Sequence, residues 1–441
     1  MWAHGIGGRI KKFPVNIMTD YKLTNLATGR VFEDTGWLLS DPQYDKPSLI
    51  RSIYTAEKLN STDNNAGFYK FEDWLPINRR LEGSSAPVTY KADKLGESLG
   101  LSNLWVTFNG YWPERGAGMT TCSFKETEAF SVCARMLQAS SGVMVVASAG
   151  NTARAFAKVC SENSIPLLLV VPEENIDALW FNHEINSCVK LVCTPKGTDY
   201  FDAIDLAAKI CKSDLFYEEG GAKNVARRDG MGTTVLSAAT TIGSIPEYYF
   251  QSIGSGTGAI AAWEANLRLI GDGRFGQNKM VLLPSQNYPF TPMYDAWKAH
   301  SRALLPADDV IEREKALVIK AKVLSNRRPP YSVPGGLFDA LSDTGGDIEI
   351  VDNIELEAAC RFFEEVEGID IHPAAGVALA GMMKSINSGK AGRDSLLMLN
   401  ITGGGEKRFK SENQVHFLNP SLIINNNTEL STITSSAESL F

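Results

Sequence analysis

Residues 142–173, GVMVVASAGNTARAFAKVCSENSIPLLLVVPE, set the rhythm of the chain's middle. A continuous apolar run predicts a strand, and small residues at 147–151 predict a turn. Apolar positions at helical spacing predict a helix over 152–162, and a second apolar run predicts another strand. Continuous apolar strands alternating with helices predict a parallel sheet covered on both faces. CVKLVCTP at 188–195 and YFDAIDLAAKICKS at 200–213 extend this unit by a strand and a helix. Upstream, residues 123–138 predict a helix whose apolar face carries Phe124, Ala129, Val132, Cys133, Met136 and Leu137. Downstream, PEYYFQSIGSGTGAIAAWEANLRLIG at 246–271 opens a second strand–turn–helix unit. The alternation continues through KMVLLPSQN, a helix over 293–304, DIEIVDN, ELEAACRFFEEVEG, PAAGVALAGMMKSINSG and SLLMLNITGGGEKRF.

The flanks are less regular. YKLTNLATGRVFED at 21–34 predicts two short strands around a turn at 27–29. FEDWLPINRRLEG at 71–83 is a short amphipathic segment, and 104–118 reads as a strand followed by a turn-rich loop. Residues 214–230 carry no clear period and read as a connection between two halves. The Asn/Ser/Thr-rich tail from about 419 is expected to pack poorly. These patterns divide the chain into four parts. An N-terminal segment, 1–104, contributes to the larger domain, and a smaller α/β domain covers 105–225. A larger α/β domain covers 226–420, and a flexible tail covers 421–441.

Composition adds exclusions. The 441 residues are 44% hydrophobic and 21% charged, which are ordinary globular values. A net charge of −8 argues against a nucleic-acid partner. Seven cysteines without a CxxC pair, and five scattered histidines, give neither a disulfide framework nor metal-type spacing. The longest apolar runs are too short to span a bilayer and no signal peptide is evident, so a cytoplasmic protein without a membrane partner is expected.

Four short stretches carry candidate chemistry. TTCSFKETEA at 120–129 places Lys125 just inside a helix start. Ser123 or Thr121 can cap that helix, and Glu126 and Glu128 suit its dipole. A cation there is disfavoured, which favours the neutral amine that attacks aldehydes. IGSGTGAIAAWEA at 253–265 follows a strand and opens a helix, so it is either an anion cradle or a tight turn. ASAGNTARA at 147–155 stands at the carboxyl end of a strand, where Ser148, Thr152 and free N–H groups could hold a carboxylate beside the Asn151 amide. It could equally be a helix cap made by Asn151 or Thr152. LNITGGGEKRF at 399–409 ends a strand at Thr402 and adds three glycines.

An amine, a phosphate cradle, an amide and a hydroxyl match the aldehyde, phosphate, ring hydroxyl and ring nitrogen of pyridoxal 5'-phosphate. SFKE, SAGNT, GSGTG and ITGGG, in that order over roughly 85–420, resemble fold type II pyridoxal-phosphate enzymes, the tryptophan synthase β family. TCSFKETEA is similar to the lysine motif of threonine synthases. TFNGYWPERGAGMTTCSFKE and ASAGNTARAFA are closer to that family's cysteate synthase branch. The resemblance implies two domains, each with a helix-flanked, mostly parallel sheet, and the cofactor between them. It also implies a homodimer. Lys125 becomes the Schiff-base lysine and proton carrier, and Asn151 the partner of the ring hydroxyl. Gly254, Ser255, Gly256, Thr257 and Gly258 become the phosphate cradle, and Thr402 the partner of the pyridine nitrogen. Ser148, Ala149 and Thr152 line the substrate carboxylate site. Two departures separate the chain from threonine synthases. YKLTNLATG lacks the N-terminal cysteine pair, and the phosphate loop has Ser255 and Thr257 where Asn is usual.

A neutral threonine does not hold the pyridine nitrogen protonated, which suits loss of a β-leaving group. The reaction so implied exchanges the phosphate of O-phosphoserine for sulfite and yields L-cysteate, as in coenzyme M biosynthesis. Both exchanged groups are anions, so Arg154, Arg115 and Lys407, which border the motifs, are candidate anion contacts. The alternatives are a threonine synthase acting on O-phosphohomoserine, a β-replacement synthase using sulfide or an amine, and a cofactor-free binding protein of the same fold.

Overall fold

The structure is a computed structural model describing residues 19–61, 64–136, 142–148 and 150–441. Two sheets organise it. The larger has six strands, in the order Glu349–Val351, Val281–Asn287, Tyr248–Ser252, Leu397–Ile401, Leu104–Phe108 and Val88–Lys91. All are parallel except Val88–Lys91, which runs antiparallel along the edge. The smaller has five parallel strands, in the order Phe216–Glu218, Val143–Ala147, Leu167–Pro172, Val189–Thr194 and Leu422–Ile423. Every residue of Leu167–Pro172 and of Leu397–Ile401 is buried, as strands covered on both faces must be. The fold is the α/β architecture expected from the chain's rhythm.

The strand–turn–strand at the N-terminus also forms. Tyr21–Asn25 pairs antiparallel with Val31–Phe32 and with Ile50–Tyr54. Asp229 anchors this small sheet to the core, accepting from Ser52 Oγ at 2.7 Å and Tyr54 OH at 2.6 Å. Glu264 helps from the same side, taking Arg51 at 3.1 Å and Arg228 at 3.0 Å.

Four expectations need correction. Leu104–Phe108 lies inside the six-stranded sheet, so a boundary at 104/105 cuts through the larger domain. Residues 214–230 are not a bare connection. Phe216–Glu218 is the edge strand of the small sheet, and Val225–Ile242 is a long buried helix. That helix lies against Lys125–Arg135 and Thr257–Asp272. It shows little amphipathic period because nearly every side of it is covered. Gly230 allows the contact with the lysine helix, since a Cβ there would come within 2.8 Å of Ser131 Cβ. The helix foreseen over 293–304 runs only from Pro292 to Lys298, and His300 turns the chain at φ +51°. The tail is packed. Leu422 and Ile423 pair with Val192 and Cys193, and Leu430–Glu438 forms a helix that buries Ile433 and Ala437. Its apolar residues are few but correctly spaced, and composition alone hides that. Leu137 falls outside the described residues.

Candidate active site

The site is built where chain segments leave the carboxyl ends of strands in both sheets, the usual ligand position in open α/β folds. The helix behind Lys125 begins at that residue and runs to Arg135. Ser123 Oγ accepts from Lys125 N at 3.3 Å, one of the two expected caps. Thr121 is instead a donor, through its N (3.1 Å) and Oγ1 (2.8 Å), to Glu126 Oε2. The loop before the helix is clamped to the glycine triplet. Phe124 N donates to Thr402 O (2.9 Å) and Gly404 N to Cys122 O (3.1 Å). A Cβ on Gly403 would stand 2.8 Å from Cys122 O, so the triplet's glycines are what let the two segments cross. Cys122 itself has φ +53°, a conformation disfavoured for any side chain.

Lys125 Nζ lies 3.1 Å from Glu128 Oε2, and its side chain is 21% exposed. Burial pushes its pKa below that of a free lysine; Glu128 opposes this, and Arg227 adds to it. The neutral amine is therefore favoured, chiefly through desolvation rather than through the helix dipole invoked from the sequence. Glu128 is the hub here. Its Oε1 accepts from Thr152 Oγ1 at 3.1 Å and lies 3.3 Å from Arg227 Nη1.

The second loop leaves the strand Val143–Ala147 and enters the helix Asn151–Glu162. Gly150, at φ 146° and ψ −84°, makes the turn in a region open to glycine alone. The cap is Ser148, not Asn151 or Thr152: its Oγ accepts from Gly150 N and Ala153 N, both at 3.0 Å. Asn151 is thereby left to face the pocket. Ala149 lies outside the described residues.

The third loop joins Tyr248–Ser252 to the helix Thr257–Asp272. Gly256 has φ +78°, and a Cβ on Gly254 would meet Leu324 Cα at 2.8 Å. Ser255 Oγ and Thr257 Oγ1 are 2.8 Å apart at the helix N-terminus, beside first-turn N–H groups that have no intrahelical acceptor.

One pocket collects these pieces. Lys125 and Asn151 line it from one sheet's side; Gly254, Ser255, Gly256, Gly258 and Thr402 line it from the other's. The three anion contacts expected beside the motifs do not line it. Arg154 is buried and engaged, donating to Thr121 O (3.1 and 2.9 Å), Ala178 O (2.8 Å) and Asn151 Oδ1 (3.1 Å). Its guanidinium also lies 4.1 Å from the Trp180 ring centroid. Arg115 stacks 3.7 Å over Tyr90, and exposed Lys407 bonds Glu364 at 2.7 Å. Nearness to a motif in sequence did not put these three groups in the pocket lining.

The sequence reading passed over His372, Gln251, Val323 and Leu324, all of which line the pocket. His372 carried a signal: in IHPAAG it precedes a proline that opens a helix. The pocket fits pyridoxal phosphate by its donor set, with a desolvated amine, a glycine cradle at a helix N-terminus, an amide and a neutral hydroxyl. Among the described residues no cluster of His, Cys, Asp and Glu could hold a metal ion, and no helix is long and apolar enough to cross a membrane.

Comparison with known proteins agrees with this donor set. The family described as pyridoxal-phosphate dependent enzyme matches residues 91–403. Cysteate synthase of Methanocorpusculum labreanum is 46% identical over 400 residues, covering 90% of this chain and 95% of that protein. Cysteate synthase of Methanosarcina acetivorans is 45% identical over 380 residues, covering 86% and 91%. Among solved structures, maize serine racemase superposes with a TM-score of 0.55 at 14% identity, over 80% of this chain and 92% of that one. Threonine deaminase isoform 2 of Solanum lycopersicum gives 0.52 at 15% identity, over 82% and 91%. The chain therefore belongs to the pyridoxal-phosphate-dependent enzyme family, in fold type II, among the cysteate synthases.

Proposed function

We propose that this enzyme replaces the phosphate of O-phospho-L-serine with sulfite, giving L-cysteate and phosphate, and that it works as a cytoplasmic homodimer. The observation that carries the reading is the convergence of Lys125, Asn151, the 254–258 loop and Thr402 on one pocket, in a chain 42–47% identical to cysteate synthases over most of its length. Pyridoxal phosphate, when bound, supplies the electron sink that acidifies the substrate's Cα. Lys125 holds the cofactor's aldehyde and carries the proton at Cα. Asn151 donates to the ring hydroxyl, and residues 254–258 hold the phosphate against a helix N-terminus. Thr402 would meet the ring nitrogen without charging it, and a neutral partner there suits loss of a β-substituent. The substrate carboxylate is assigned to the 148–152 loop, at the N-terminus of the helix Asn151–Glu162.

The test is product analysis of the holoenzyme. Phosphoserine with sulfite should release phosphate and form cysteate, while O-phosphohomoserine should give no threonine. Threonine formed faster than cysteate would transfer the enzyme to the threonine synthase reading.

A further inference from the structure

The two anions of this reaction still need a cationic contact. Among the described residues lining the pocket, Lys125 and His372 are the only side chains able to carry positive charge. Lys125 is committed to the cofactor. His372 sits at the N-cap of the 15-residue helix Pro373–Asn387. Pro373 has no N–H, so the helix presents the first-turn donors of Ala374 and Ala375, and Ala374 lines the same pocket. His372 N donates to Gly403 O at 3.0 Å, which ties the histidine's backbone to the triplet after Thr402. Its Nε2 lies 2.9 Å from Glu406 Oε2. Its Nδ1 packs against Gly403, so closely that a Cβ there would intrude to 2.5 Å.

Glu406 is suited to this task. Burial works against its charge, yet the neighbouring His372, then Arg154 and Lys410, hold its carboxyl well below the usual range. A carboxylate beside one imidazole nitrogen fixes the orientation of the ring that lines the pocket. The helix N-terminus adds a field of the same sign.

Resting on the function proposed above, we propose that His372, oriented by Glu406, is the contact for the anionic group at the substrate's β-carbon: phosphate as it leaves, sulfite as it arrives. When the Cβ–O bond breaks, its electron pair stays on the phosphate oxygen, and the His372 ring with the first-turn N–H groups offsets the charge. When the sulfur lone pair forms the Cβ–S bond, the sulfonate oxygens take the same place. Glu406 is a positioning residue in this scheme.

The experiment uses cofactor-loaded wild type, His372→Asn and Glu406→Gln. Inorganic phosphate binding is measured by calorimetry, alongside steady-state kinetics. Loss of a charge-assisted hydrogen bond should weaken phosphate binding by about 10- to 100-fold in His372→Asn. KM for phosphoserine and for sulfite should rise by more than kcat falls, with cofactor absorbance retained. Glu406→Gln should weaken phosphate binding in the same direction by a smaller factor. Wild-type phosphate affinity in both variants would overturn the proposal. Phosphate binding is read whether or not phosphoserine is turned over, so a wrong reaction and a wrong contact give different patterns.

Discussion

At the scale of the residue, the chemistry turns on what draws Lys125 toward its neutral form. Burial lowers its pKa first, Arg227 acts in the same direction, and Glu128 acts against both. A lysine with a lowered pKa releases its proton at lower pH than a free one, so its reactive form persists further into the neutral range. Glu128→Gln removes the opposing influence. The pH midpoint for reloading apoenzyme with pyridoxal phosphate, followed by absorbance, should move down; movement upward would refute this reading. Gly403 gives a second test. An added methyl would meet the Cys122 carbonyl and the His372 ring, neither of which can retreat without disturbing the site. Gly403→Ala should cost about 1–3 kcal/mol in urea denaturation, as overpacking does, and loosen cofactor retention. Gly271→Ala is the control: a Cβ there meets nothing within 4 Å on the helix Thr257–Asp272, so about 0.5–1 kcal/mol of stabilisation is expected.

At the scale of the element, the tail and the segment around 309–328 matter most. Leu422–Ile423 and the helix Leu430–Glu438 cover Val192, Leu206 and Ile210 of the smaller domain. Deleting 421–441 exposes that face, and the loss should be about 2–5 kcal/mol by the burial of a few aliphatic side chains. An unchanged midpoint in thermal or urea unfolding would show the tail to be dispensable. The segment 309–328, which opens with the helix Asp309–Val318, lines the pocket through Val323 and Leu324, yet holds the smaller domain by charge. Arg313 reaches Asp202 at 2.8 Å, and Arg327 reaches Asp199 at 3.0 Å. Asp199 also caps the helix Tyr200–Ile210, so Arg327 is the cleaner probe. Arg327→Leu should speed limited proteolysis within 309–328 several-fold. Equal cleavage rates would mean the pair does not restrain the segment.

These elements also show what could be read from the chain. Strand–turn–helix units such as 142–173 were legible because buried parallel strands leave continuous apolar runs. The tail and the helix Val225–Ile242 were not. The first has too few apolar residues to stand out in composition. The second is covered on almost every side and uses small and charged residues, including Arg228 and Asp229 with their buried partners, so period and hydropathy both fail.

At the scale of the whole molecule, two sheets hold one pocket between them, and each supplies part of it. Three of the four motifs were visible in sequence because backbone–anion and backbone–backbone approaches demand glycines at fixed places, and the fourth because it sets a lysine just inside a helix start. The cationic contact was not, since it depends on which helix N-terminus the fold brings to the pocket. Arg154 illustrates the difference: it bonds the Asn151 side chain, yet turns the rest of its guanidinium to carbonyls and Trp180 and does not line the pocket.

The central claim is that Lys125 carries the cofactor. Borohydride reduction of freshly loaded enzyme, followed by peptide mass analysis, tests it most directly. A pyridoxyl adduct on Lys125 and on no other lysine is the expected result. An adduct on another lysine, or none on enzyme with full cofactor absorbance, would contradict it.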